Sequence, residues 1–125
     1  MERSHRTRLA GPLIGVIMAA SLIAAAAPAP FANASVTITA TTTAHWRPAS
    51  VTIVHGTKIN WHAQAGLSHT VHAYGGNWTF AKNLPSGSTV SHVFGAKGTF
   101  RFYCTIHGSL VNGVCVGMCG VIKVT

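Results

Sequence analysis

The chain has 125 residues with nine Lys and Arg, eight His and one acidic residue, Glu2, for a formal net charge of +8. A chain with no Asp or Glu beyond residue 2 excludes hydrolysis by paired carboxylates, carboxylate cages for calcium or magnesium, and a Ser/His/Asp triad. The positive charge predicts attraction to acidic proteins or anionic lipid. The basic residues are scattered singly, which argues against nucleic acid as a partner.

The first 34 residues have the three parts of a secretory signal. Basic residues up to Arg8 precede an apolar run, Leu9 to Ala27, and a small-residue cleavage pattern ends at Ala34. We therefore predict a signal peptide over residues 1–34, cleavage after Ala34, and export to the medium, the periplasm or the cell envelope. An uncleaved membrane anchor is the alternative, because about 19 apolar residues approach a spanning length. Glycine and proline within the run weaken that alternative.

Residues 35–125 have the pattern of short β-strands. Apolar and polar residues alternate in runs such as Val51 to Ile53, Ile59 to Trp61 and Thr99 to Cys104, and Gly or Pro separates the runs. No segment has a helical period, and Trp78 to Leu84 is compatible with either a strand or a loop. Regularly spaced turn signals favour a sandwich. We predict an all-β fold, a single antiparallel Greek-key β-sandwich of about seven to eight strands.

Three side chains near the C-terminus could bind a metal: Cys104, His107 and Met118. Thiolate with imidazole suits copper or zinc, and a weak thioether added to two His and one Cys is typical of a mononuclear electron-transfer copper site. The set needs one more histidine, and His69, eight residues after Trp61, is the candidate. We expect the remaining histidines of this part of the chain to be surface or loop residues: His45, His55, His62, His72 and His92.

Two separated signatures resemble those of cupredoxins. One runs from Pro48 to Trp61 and on to His69, and the other runs from Gly98 to His107 and ends in Met118 to Val124. The resemblance covers nearly all of residues 35–125 and is closest in kind to plastocyanin and amicyanin. It implies a type 1 blue copper site that holds one ion, alternating between Cu(I) and Cu(II), with four ligands: His69, Cys104, His107 and Met118.

The segment between His107 and Met118 is longer than is usual in that family, with Gly108 to Gly117 as the insert. Cys115 and Cys119 flank Met118, and three cysteines in an exported chain leave one unpaired. A Cys115–Cys119 disulfide with Cys104 as the thiolate satisfies this count. Cysteines four residues apart in an extended strand would be about 13 Å apart, too far for a disulfide, so the bridge requires a tight turn at Gly117.

Polar groups around the ligands also depart from the family pattern, since Ala63 and Ala65 stand where Asn and Asp are common. We expect hydrogen bonds to the site from Ser68, Thr70 or Thr105 instead.

The resemblance implies an exported, monomeric electron carrier rather than an enzyme. His107 would be the electron's exit, and Gly108, Leu110 and Val111 would form an apolar contact patch for an acidic redox partner; an anionic membrane surface is a second candidate partner. The alternative function is copper capture or delivery through the sulfur-rich segment 104–119, which requires free thiols at Cys115 and Cys119. A multicopper oxidase is disfavoured, because such enzymes need a histidine on each side of the cysteine.

Overall fold

The computed structural model describes residues 11–12, 15–17, 19–24 and 34–125, and its regular structure consists of β-strands. The predicted signal peptide lies largely outside the described residues, so the cleavage after Ala34 stays a prediction. No helix in the described ranges is long and apolar enough to cross a membrane. The strands are β1 (Ser35–Ala40), β2 (Trp46–Arg47), β3 (Ser50–Ile53), β4 (Thr57–Ala63), β5 (His69–Tyr74), β6 (Ala81–Leu84), β7 (Thr89–Phe94), β8 (Gly98–Val111) and β9 (Val114–Val124).

The strands form two sheets, one in the order β2-β1-β4-β7 and the other in the order β3-β9-β8-β5-β6. The prediction of an all-β sandwich is confirmed. The described strands number nine, however, and the sheets are mixed, because β1 pairs with β4 and β3 pairs with β9 in parallel. An alternating pattern shows which face of a strand is buried but not the direction of its neighbour, so the sequence could not reveal these parallel pairs.

The core lies between the two sheets and follows from the alternation in the strands. In β4 the side chains of Ile59 and Trp61 are fully buried, whereas Lys58 is exposed. The ring of Phe102 from the opposite sheet lies 5.4 Å from that of Trp61, edge to face. Burying a side chain of the size of Phe102 stabilises the fold by roughly 1.5–3 kcal/mol. This contact joins the two halves of the sandwich directly beneath the strand segment that carries Cys104.

Strands β8 and β9 extend well beyond the predicted strand ends and form a hairpin. The insert Gly108 to Gly117 therefore consists of two paired strand segments, with Gly108 opposite Gly117 and Val111 opposite Val114. Asn112 and Gly113 form the turn with φ angles of 50° and 76°. An Asn-Gly pair between β-branched residues favours such a two-residue turn, because both positions need positive φ.

Candidate metal centre

Three side chains with metal-binding atoms come together in the described part of the chain: His69, Cys104 and His107. One donor atom from each residue lies within 4.8 Å of the other two. The Cys104 Sγ is 3.9 Å from Nδ1 of His69 and 3.5 Å from Nδ1 of His107. Both His69 and Cys104 are buried, and His107 is partly exposed. The structure thus brings together the two histidines and the cysteine that the sequence singled out.

A bulge of four residues in β8 brings the side chains of Cys104 and His107 to the same site. The pairing of β8 with β9 jumps from Tyr103 opposite Cys119 to Gly108 opposite Gly117. The four residues from Cys104 to His107 therefore lie opposite Met118 alone. A bulge bends a strand and redirects its side chains. In an uninterrupted strand, residues three apart would point to opposite faces.

Two glycines allow the strands to meet at this bulge. A Cβ on Gly117 would lie 2.5 Å from the carbonyl oxygen of His107, and the residue has φ of +94°. A Cβ on Gly108 would lie 3.0 Å from the carbonyl oxygen of Cys104. Glycine at these positions lets one backbone approach the other closely. The insert thus contributes directly to the geometry of the site.

Thr70 donates a hydrogen bond to the sulfur of Cys104, and Thr105 in turn is hydrogen-bonded to Thr70. The backbone N–H of Thr70 donates to Cys104 Sγ at 3.4 Å, and the Thr70 hydroxyl accepts from the Thr105 N–H at 2.8 Å. Ser68, the third candidate, instead accepts a hydrogen bond from the Ser86 N–H at 3.1 Å. This backbone donor satisfies part of the hydrogen-bonding capacity of the buried sulfur and helps to fix its position. These contacts also tie β5 to the bulge of β8.

Burial favours the neutral form of His69. Desolvation lowers the pKa of His69 from its ordinary value of 6.5, repulsion from His107 lowers it further, and a backbone interaction with Thr41 opposes the change. Metal ligation requires a neutral imidazole. The site therefore presents its buried histidine in the protonation state that a metal needs.

Met118 lies directly opposite the bulge. Its side chain is buried, with 2% of its surface exposed, and its carbonyl oxygen accepts a hydrogen bond from the indole N–H of Trp46 at 3.2 Å. The ring of Trp46 lies 6.2 Å from that of His69. Met118 therefore lies opposite the segment that carries Cys104 and His107, and the hydrogen bond from Trp46 anchors its backbone. No local pattern in the sequence indicates the long-range contacts of Trp46.

The expected disulfide between Cys115 and Cys119 is present, and among the described cysteines Cys104 is left free and buried. The two bridged Cα atoms are 6.0 Å apart, far closer than in an extended strand. The positive φ of Gly117 folds the strand between them, as the predicted tight turn requires. The bridge therefore spans Met118 and closes β9 around it.

The other histidines of the described domain lie outside the donor cluster. Nδ1 of His62 contacts the Thr89 hydroxyl at 2.9 Å, and Nδ1 of His55 contacts the Thr125 carbonyl at 3.2 Å. His92 packs among aromatic rings, 4.7 Å from Phe94. His45 and His55 are exposed as expected, whereas His92 is partly buried among aromatic rings in β7, a packing role that the sequence did not predict.

No protein-family model matches the chain, and no curated protein matches it. Solved structures do match. A mutant amicyanin in the Cu(I) state is 16% identical with a TM-score of 0.60, covering 75% of this chain and 85% of that chain. A purple cupredoxin from Nitrosopumilus maritimus is 20% identical with a TM-score of 0.57, covering 71% of this chain and 98% of that chain. A Cu-containing nitrite reductase from Thermus scotoductus is 20% identical with a TM-score of 0.58, covering 73% of this chain and 22% of that chain.

These likenesses show that the chain has the cupredoxin fold, and the resemblance drawn from the sequence is confirmed at that level. Within this fold, His69, Cys104 and His107 lie together and Met118 lies opposite them. The nitrite reductase shows that a domain of this fold also occurs inside a larger enzyme chain.

The donor set fits a soft or borderline transition metal. One sulfur and two imidazole nitrogens converge, and the described domain contains no carboxylate that would suit a hard cation. Sulfur and imidazole together select copper or zinc, and a neighbouring thioether favours copper. The arrangement can thus hold a metal that shifts between one-electron oxidation states.

Proposed function

We propose that this protein binds one copper ion through His69, Cys104, His107 and Met118 and carries single electrons between redox partners. The observation that supports the proposal most directly is the free, buried thiol of Cys104 facing Nδ1 of both histidines. Copper in such a site cycles between Cu(I), which prefers sulfur, and Cu(II), which accepts imidazole. The rigid strands supply the site with a fixed set of donors for both states.

Addition of Cu(II) to the purified protein tests this proposal. We expect an intense visible thiolate-to-copper absorption band at one copper per chain, which bleaches on reduction. Cys104→Ser should abolish the band and His69→Ala should weaken copper binding, whereas His62→Ala, which alters a histidine outside the cluster, should leave the band unchanged. A band that survives Cys104→Ser would refute the ligand assignment.

Copper capture, the alternative function, requires thiols at Cys115 and Cys119. The closed Cys115–Cys119 bridge makes those sulfurs unavailable and so favours the carrier. Export, which the chain's N-terminus suggests, provides an environment in which a disulfide persists. We therefore propose an exported carrier without catalytic activity of its own.

We propose that an acidic redox partner docks at the hairpin beside His107. Ile106, Leu110 and Val111 are exposed there, with 58%, 39% and 54% of their surfaces accessible. No charged residue occurs between Arg101 and Lys123, whereas the domain as a whole carries six basic side chains and no acidic one. Apolar contact at the hairpin combined with long-range attraction by the net positive charge of the domain suits a partner whose apolar contact surface is bordered by carboxylates.

Reduced protein mixed with small oxidants of opposite charge tests the electrostatic part of this proposal. Ferricyanide, an anion, should react faster at low ionic strength than at high ionic strength, because salt screens the attraction over a Debye length of about 10 Å at 0.1 M. A cationic cobalt complex should show the opposite dependence. Rates that do not respond to salt for either oxidant would refute electrostatic steering.

A further inference from the structure

Trp46 contacts two of the proposed ligands, Met118 and His69, although it lies on a short strand at the edge of the other sheet. It lies on β2, a two-residue edge strand that pairs with the end of β1, Ala40 opposite Trp46. Its side chain is 4% exposed although the strand lies at the sheet edge. The indole therefore points away from its own sheet and into the space between the sheets, toward β9 and β5.

The contacts of the indole reach both sides of the site. Its N–H donates to the Met118 carbonyl at 3.2 Å, and its ring lies 6.2 Å from the His69 ring at an interplanar angle of 43°. The ring of Phe102 packs against the indole at an interplanar angle of 66°, with ring centroids 5.1 Å apart. One side chain thus touches the backbone of Met118 and packs beside the imidazole of His69.

Met118 depends on this contact because the bulge deprives it of a strand partner. In the register of β8 and β9, Gly117 pairs with Gly108 and Cys119 pairs with Tyr103. Met118, between them, lies opposite the whole segment from Cys104 to His107. A thioether bond to copper in such a site is long and weak. The surrounding protein, rather than that bond, must therefore determine where the sulfur of Met118 lies.

We infer that Trp46 is a positioning residue that holds Met118 and His69 in place and thereby tunes the spectrum and reduction potential of the centre. This inference rests on the proposed copper site. The indole N–H fixes the backbone of Met118, and the indole ring limits the tilt of His69. Neither effect requires Trp46 to bind the metal.

Trp46→Phe keeps an aromatic ring and removes the hydrogen bond. Trp78→Phe is the matched control, because the Trp78 indole N–H also donates to a backbone carbonyl, that of Arg101 at 2.9 Å, but it packs against Phe80 and Phe94, outside the donor cluster. We expect Trp46→Phe to change the relative intensities of the thiolate-to-copper bands and to shift the midpoint potential. Trp78→Phe should leave both at wild-type values even where it lowers stability.

The metal-free protein provides a second readout that does not depend on copper. The methyl NMR signal of Met118 should shift in Trp46→Phe and stay in place in Trp78→Phe. The inference would be overturned if Trp46→Phe kept the wild-type Met118 signal and, when loaded with copper, also kept the wild-type spectrum and midpoint potential. Absence of any thiolate-to-copper band in the wild-type protein would instead refute the proposed function, while the Met118 signal would still decide the role of Trp46.

Discussion

At the scale of single residues, the proposed metal ligands were the most predictable part of the molecule. Cys104 and His107 share a short motif, and His69 follows a recognisable strand pattern, so their chemistry and their order indicated a common site. Trp46 could not be predicted as a neighbour of the site, because its contacts to Met118 and His69 join residues far apart in the chain. Single-residue chemistry is readable from sequence, whereas long-range packing is not.

Gly117 tests the close approach of the strands at the bulge. Gly117→Ala should destabilise the metal-free protein by about 1–3 kcal/mol more than Gly56→Ala, because the added Cβ collides with the His107 carbonyl. Gly56 is the matched control, since it has φ of +88° and nothing within 4 Å of the added Cβ. Urea unfolding of both variants measures the difference. Equal losses of stability would show that positive φ alone explains the need for glycine.

At the scale of elements, the hairpin of β8 and β9 was not predicted from the resemblance to cupredoxins. Likeness to cupredoxins suggests a loop between His107 and Met118, yet β8 and β9 continue through the insert. The Asn112-Gly113 pair between valines is a strong hairpin signal that could have revealed it. The paired strands make the insert a rigid extension of the sheet that carries the site.

The disulfide within β9 leads to a prediction about this element. Replacing both Cys115 and Cys119 by Ala should lower the unfolding free energy by about 2 kcal/mol, the value expected for a short closed loop. The thiolate-to-copper band should persist, because Cys104 is separate from the bridge and buried. Urea unfolding and the visible spectrum measure the two effects.

The control for this pair replaces Val114 and Val116, two exposed residues of the same strand, by Ala. It should change stability little, because surface substitutions are usually within about 0.5 kcal/mol of neutral. Loss of the band in the folded cysteine variant would contradict this prediction and show that the copper centre depends on the bridge or on its cysteines.

At the scale of the whole molecule, the sequence predicted the sandwich but not all of its strand pairings. The alternation of apolar and polar residues in Ile59 to Trp61 indicated a strand with one buried face, and in the structure Trp61 packs against Phe102 of the opposite sheet. The parallel pairing of β1 with β4 depends on the course of the chain through the whole fold, which a local pattern does not contain. The same long-range arrangement brings β2 and its Trp46 next to β9.

Histidines inside the fold should make stability depend on pH. Burial lowers the pKa of His92 below 6.5, so the unfolded chain binds more protons than the folded one in the range just below 6.5. The unfolding free energy of the metal-free protein should therefore rise with pH through that range and level off above it. His92→Phe should reduce this rise, because it keeps a ring among Trp78, Phe80 and Phe94 but cannot be protonated.

Urea unfolding at several values between about pH 5 and pH 7.5 measures this effect. His69 acts in the same direction and is present in both proteins, so its contribution cancels in the difference. A His92→Phe protein with the full wild-type pH dependence would show that His92 does not contribute to it.

A stepwise reductive titration of the copper-loaded protein, followed by the visible thiolate-to-copper band and by copper analysis, tests the electron-carrier account most directly. One electron per chain should bleach the band, and reoxidation should restore it over repeated cycles. The copper should stay bound throughout. Release of copper on reduction, or a band that does not return, would contradict the electron-carrier account.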